Sequence, residues 1–270
     1  MGTMLQAAGL LPGAVPDSWN LENPDAVRAV HRAYREAGSQ MTVANTFGCN
    51  APRLKKSGYR PADLARAGIR IAKEAGEGLP FAPVAMDIGP LGLFLEPLGD
   101  LTFEDAVELF REPVEAGAEE GADCLLIETM CDIGEACAAI AACRKYGKGL
   151  PVFCTMSFTE RGRLMTGAKP DAVAKALTEA GADAIGCNCG VGPDQLLELL
   201  PVLKANTDLP LILCPNAGMP VFDDGDVVYP VGPEAFADDM KKLLDGGAWM
   251  IGGCCGTTPE YIRTMKEKLF

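Results

Sequence analysis

At 270 residues, 48% apolar content and a formal net charge of −13, the chain can bury one large core and is too acidic for the clustered cations of a nucleic-acid surface. Its 11 cysteines, an odd count, oppose a disulfide framework and favour thiols kept for packing, metal or chemistry. No apolar run reaches the roughly 18 residues of a membrane helix, and the first basic residue is Arg28, so a cytoplasmic protein without a leader is expected, a single domain over 1–270.

The chain opens Met1-Gly2-Thr3-Met4-Leu5. Asn23 as cap and Pro24 at a first helical position then predict a helix over 24–37, ended by Gly38. Strands are expected at 41–47, 81–87, 124–130, 152–158, 184–189, 211–214 and 249–253, each nearly continuous in apolar or small residues, as in strands covered on both faces. Helical patterns fall between and after them, at 61–75, 103–120, 133–146, 170–180, 193–206, 233–245 and 259–268. Strand starts recur about every 30–40 residues, the length of a βα unit, so the chain reads as an α/β protein built on a parallel sheet. A (β/α)8 barrel takes about 250 residues. The pattern supplies eight helices but seven strands, and an open sheet fits that count equally well.

In barrels the chemistry gathers at the C-terminal ends of strands. The last expected strand runs into Gly252-Gly253-Cys254-Cys255-Gly256-Thr257-Thr258-Pro259, a cysteine pair between glycines that let a backbone or ligand come close. Small buried residues, or a vicinal disulfide that ordinary geometry disfavours, are the alternative readings. Another strand ends Gly186-Cys187-Asn188-Cys189-Gly190. Cys187 and Cys189 share parity, so a regular strand points them the same way, and only Cys189 lies at the extreme end. A thiolate there can join Cys254 and Cys255 across the mouth, filling three positions of a tetrahedral zinc and leaving the fourth to substrate. His31, the one histidine, sits in a helix pattern as a surface or packing residue, so a histidine-rich site is unavailable. Glu128 closes an apolar strand, where an unpaired carboxylate is costly and a bound ammonium would be a natural partner. Asn45 and Asn216 also end strands and are placed to orient a substrate or a ligating cysteine. The acidic stretch 223–226 reads as an exposed hairpin.

The combination Gly186-x-Asn188-Cys189-x-x-Gly192-Pro193, Pro215-Asn216-Ala217-Gly218-x-Pro220 and Gly252-Gly253-Cys254-Cys255-Gly256-Thr257-Thr258-Pro259 resembles the homocysteine S-methyltransferase family. Met1-Gly2-Thr3-Met4, Asn45-Thr46-Phe47-Gly48, Asp87-Ile88-Gly89-Pro90, Glu128-Thr129-Met130 and Gly162-Arg163-x-x-x-Thr166-Gly167 extend the likeness over the whole chain, most closely to the cobalamin-dependent methionine synthase branch. The resemblance implies a TIM barrel with one Zn2+ on Cys189, Cys254 and Cys255, homocysteine bound through sulfur, and methionine as product. It implies Glu128 beside the amino-acid head group, and Asn45, Thr46, Gly89, Pro90, Asn188 and Asn216 around the substrate. S-methylmethionine, betaine and a methyl-cobalamin or other methyl-corrinoid carried on a separate protein are donors compatible with the family. Rival readings are a corrinoid-linked methyltransferase for another substrate and an inactive zinc- or thiol-binding subunit.

One departure stands out. Relatives carry a strand and an acidic residue just before the Met-Gly-Thr-Met stretch, and this chain begins at that methionine. The expectation is therefore a barrel lacking its first strand, with a gap lined by 41–47 and 249–253 or closed by a partner copy in a homo-oligomer.

Overall fold

Proline fixes φ and lacks the N–H that a first helical turn leaves unpaired anyway, so it starts helices cleanly. In the computed structural model, which describes every residue except Pro12, Pro80, Asp224 and Gly225, the chain passes α1 (Gly2–Ala7), α2 (Trp19–Glu22) and α3 (Pro24–Glu36) before β1 (Thr42–Val43). There follow α4 (Ala51–Leu54), α5 (Pro61–Ala75), β2 (Val84–Ile88), α6 (Phe103–Glu120), β3 (Cys124–Met130), α7 (Ile133–Tyr146) and β4 (Val152–Met156). Then come α8 (Pro170–Glu179), β5 (Ala184–Asn188), α9 (Pro193–Lys204), β6 (Leu211–Cys214), the strands β7 (Val221–Asp223) and β8 (Asp226–Val228), α10 (Pro233–Asp245), β9 (Met250–Ile251) and α11 (Pro259–Leu269). Thr102 caps α6 and Asp132 caps α7 through their side chains. Asn23 occupies the cap position of α3 but makes no side-chain capping bond, contrary to expectation, because Pro24 already suits the turn.

The seven strands of the main sheet run parallel in the order β1-β2-β3-β4-β5-β6-β9 and curl into a half-barrel, a TIM-type barrel short of one strand. Its edges are β1 and β9, as the sequence predicts, and each is only two residues long. The expected strand 41–47 stops early because Thr46 takes over from the backbone. Its hydroxyl donates to Asp87 O at 2.8 Å and accepts from Asp87 N at 2.9 Å. The antiparallel pair β7-β8 forms the hairpin foreseen at 223–226, with Asp224 and Gly225 outside the described residues. The opening stretch is helical in α1 and buries Leu5. No helix among the described residues is long and apolar enough to cross a membrane.

Alternation along each strand divides two cores. Residues such as Met86, Leu125, Ile127 and Cys187 pack outward with Phe110 and Ile140 of the helices. Ala85, Cys124, Leu126, Phe153, Ala184 and Ile212 fill the inside of the curl, where Trp249 meets Phe153 edge to face at 5.8 Å. Truncating Phe110, which is fully buried, would cost about 3–5 kcal/mol. Followed toward the strand ends, the inner row turns polar: Asp87 stands beyond Ala85, Glu128 beyond Leu126, Thr155 beyond Phe153 and Cys214 beyond Ile212. That change of character marks the mouth.

Candidate metal centre

Each sulfur of the mouth is aimed by local backbone. β5 ends at Asn188, and Cys189 follows with φ of 56°, a left-handed conformation that costs a non-glycine residue about 1–2 kcal/mol. Gly190 continues the turn at φ of 67°, and a Cβ there would lie 2.2 Å from Phe158 O. This turn corrects the parity expectation. Cys187 faces the outer core and is 1% exposed, whereas Cys189 swings to the mouth. After β9 the cysteine loop is tied to its neighbours: Cys254 N donates to Pro215 O at 2.8 Å, and Ala217 N donates to Cys255 O at 2.9 Å. The Thr257 hydroxyl closes the turn on Cys254 O at 2.7 Å.

The result is a half-buried trio, Cys189, Cys254 and Cys255, whose sulfurs all lie within 4.8 Å of one another. The Cys189–Cys255 separation is 3.8 Å, and tetrahedral bonds of about 2.3 Å put two cysteinate sulfurs ~3.8 Å apart. That pair already has the spacing of two ligands on one ion, and Cys254 lies close enough to be the third. Hydrogen bonds from the Cys189 and Cys254 thiols, helped by the Tyr229 hydroxyl, draw Cys255 down to about 3 against the effect of burial. The bonds to Cys189 and Cys255, with burial, hold Cys254 well up. The low Cys255 and the high Cys254 share one network of sulfur hydrogen bonds, and a cation bound among the three would favour the thiolate form of each.

Asn188 stands at the hub. Its Oδ1 accepts from Thr129 N at 2.7 Å and from the Thr155 hydroxyl at 2.8 Å. Its Nδ2 donates to Thr129 Oγ1 at 2.7 Å and toward Cys254 Sγ at 3.9 Å. Thr129 has φ of 60°, and the register of β3 on β4 shifts between Ile127 and Met130, the kind of irregularity that re-aims side chains next to a site. Asn216 Oδ1 accepts from Cys255 N at 3.1 Å.

Glu128, half-buried on the irregular turn of β3, is pushed up to about 7 by burial, with Cys255 adding to the rise. The remaining expected residues have other neighbours. Asn45 Nδ2 donates to Pro16 O and to Asn20 Oδ1, both at 2.9 Å, fastening the segment before α2. Thr46 bridges β1 to β2 as described above. Gly89 N donates to Phe47 O at 3.0 Å, and Pro90 O accepts from Arg53 Nε at 2.8 Å. Sequence reasoning gave no role to Tyr229, Thr129 or Thr155, although Thr129 stands in the Glu128-Thr129-Met130 motif. The alternation Phe153-Thr155, with a hydroxyl closing an apolar inner row, was the available signal for the last.

A sequence profile for homocysteine S-methyltransferase matches residues 1–269. Methionine synthase of Mycobacterium tuberculosis is 33% identical over 281 residues, covering 97% of this chain and 23% of that protein. Methionine synthase of Mycobacterium leprae is 32% identical over the same coverage. The chain thus spans about a quarter of the length of these relatives. The homocysteine methyltransferase MmuM from Escherichia coli, in its metallated form, superposes with a TM-score of 0.84 at 25% identity over 99% of this chain and 93% of that one. Its apo form gives 0.79 at 25% identity, over 99% and 92%.

Proposed function

Because this chain belongs to the homocysteine S-methyltransferase family, we propose that it is a zinc-dependent methyltransferase whose acceptor is the thiol of homocysteine and whose product is methionine. The observation that carries the reading is the sulfur trio at the mouth, spaced for one tetrahedral ion with a corner left over.

A free thiol is only about a few per cent ionised at neutral pH. Held by the trio, zinc would supply the Lewis acidity that favours the ionised form of an incoming thiol. Cys189, Cys254 and Cys255 would hold the ion and, as three anions, would leave the acceptor sulfur electron-rich. Asn216 and Asn188 keep the ligand loops in register, which is how groups behind a metal ligand act elsewhere. Glu128 receives the acceptor's ammonium. The sulfur lone pair then attacks the methyl carbon, the new S–CH3 bond forms as the donor–CH3 bond breaks, and the thiol proton passes to solvent.

The donor we favour is a methyl group on a corrinoid carried by another domain or polypeptide. Greater identity to the methionine synthases than to MmuM supports this choice. The test is turnover. Zinc-loaded protein should convert homocysteine to methionine with methylcobalamin as donor, and Cys254→Ser should abolish it. Turnover with S-methylmethionine alone would refute the donor, and stoichiometric homocysteine binding without turnover on methylcobalamin, S-methylmethionine or betaine would refute the enzyme.

A further inference from the structure

The sheet holds β9 from one side only. Its partner is β6, through Ile212 with Met250 and Leu213 with Ile251, and β9 ends the strand order. The cysteine loop it carries is likewise tied toward β6, by Cys254 N on Pro215 O, Ala217 N on Cys255 O and Cys255 N on Asn216 Oδ1. Across the open seam the sheet resumes only at its other edge, β1. Among the described residues, one hydrogen bond reaches the loop 252–258 from the chain before β2. Tyr34 of α3, the helix that leads into β1, donates its hydroxyl to Thr257 O at 2.8 Å.

Both ends of this bond are fixed. The Tyr34 ring packs on the apolar cluster of Leu5, Leu10, Val27, Val30 and Ile71, so its hydroxyl is presented from a rigid base. Thr257 is buried, and its hydroxyl and its N–H both donate to Cys254 O, at 2.7 and 3.2 Å. A Cβ on Gly253 would lie 2.5 Å from Thr257 Oγ1, so the turn is closed tightly and Thr257 cannot shift without carrying Cys254 with it. Tyr261 offers the comparison. It donates to Val231 O, also at 2.8 Å, but on the β6 side, where Val231 N donates to Ala217 O and several other bonds already hold the loop.

We infer that Tyr34 is a positioning residue for the sulfur centre: reaching across the seam, its hydroxyl gives the cysteine loop the support that a neighbouring strand would give β9. The inference rests on the reading of the trio as a zinc site. With the bond in place the loop is pinned from both sides, and Cys254 and Cys255 stand ready for Cys189, which arrives from β5. Binding an ion then costs little in ordering its ligands. Without the bond the loop is free to pivot on its ties to β6, and the ion must order it first.

The test is zinc affinity in competition with a chromophoric chelator, for the parent, Tyr34→Phe and Tyr261→Phe. Tyr34→Phe keeps the ring on its apolar cluster and loses only the hydroxyl. It should bind zinc about tenfold or more weakly, whereas Tyr261→Phe, which loses a bond of the same kind and length, should match the parent. Cobalt-loaded protein supplies a reading that general loosening would not move: the sulfur-to-cobalt absorption should shift in Tyr34→Phe and stay that of the parent in Tyr261→Phe. Parental affinity in Tyr34→Phe, equal weakening in both variants, or weakening with an unshifted cobalt spectrum would each overturn the role given to Tyr34 while leaving the zinc reading intact. A parent that binds no zinc would overturn that reading and this inference together.

Discussion

Asn216 accepts the backbone N–H of Cys255 at 3.1 Å, so the loop after β6 sets the direction of a sulfur carried by the loop after β9. Removing such a support behind a metal ligand lowers affinity by about 10–100-fold. Asn216→Ala should weaken zinc binding by that factor in competition with a chromophoric chelator while the ligand count stays the same. An unchanged affinity would mean that the cysteine loop holds its own shape.

Cys187 and Cys189 are two residues apart and lie on opposite sides of the sheet. Cys189→Ala should lose stoichiometric zinc after gel filtration. Cys187→Ala should keep it and cost about 1 kcal/mol of stability, the effect of a small void in the outer core. Elemental analysis and denaturant titration separate the two.

Gly190 combines φ of 67° with a Cβ position 2.2 Å from Phe158 O. Gly149 has φ of 78° but open space around it. Gly149→Ala should cost about 1–2 kcal/mol from the backbone alone. Gly190→Ala should cost more and also reduce zinc affinity, because the peptide that moves carries Cys189. Equal costs, with affinity untouched, would contradict the role given to this turn.

Burial lowers His31 to about 3 from its ordinary 6.5. The folded state therefore refuses a proton that the unfolded chain accepts. Stability is whole above pH 6.5 and falls as the pH drops from there toward 3, at up to about 1.4 kcal/mol per pH unit. With no other histidine in the chain, His31→Gln should flatten the slope of stability between pH 6.5 and 5, read from denaturant midpoints. A slope that survives the substitution would assign the proton elsewhere.

Much of the fold was legible because its signals are local. Prolines at first turns marked α3, α5, α8, α9, α10 and α11, and the helix starts and ends fall within a residue or two of the expected ones. The sulfur trio was legible because all its members follow strands. What escaped depended on backbone departures from regularity. Parity alone sends Cys189 to the side of Cys187, and only the left-handed turn at 189–190 brings it back. Thr46 shortened β1 by replacing ladder bonds with a hydroxyl, which no hydropathy pattern reports. Asp87 was read as part of a motif and not as a wall of the mouth, although its alternation with Ala85 carries the same signal that Glu128 shows with Leu126.

The most direct measurement is sulfur coordination by X-ray absorption at the zinc edge, with and without homocysteine. Three sulfurs and one lighter atom in the resting protein, becoming four sulfurs on adding homocysteine, is the predicted result. A resting shell with fewer than three sulfurs, or one that homocysteine leaves unchanged, would contradict the account.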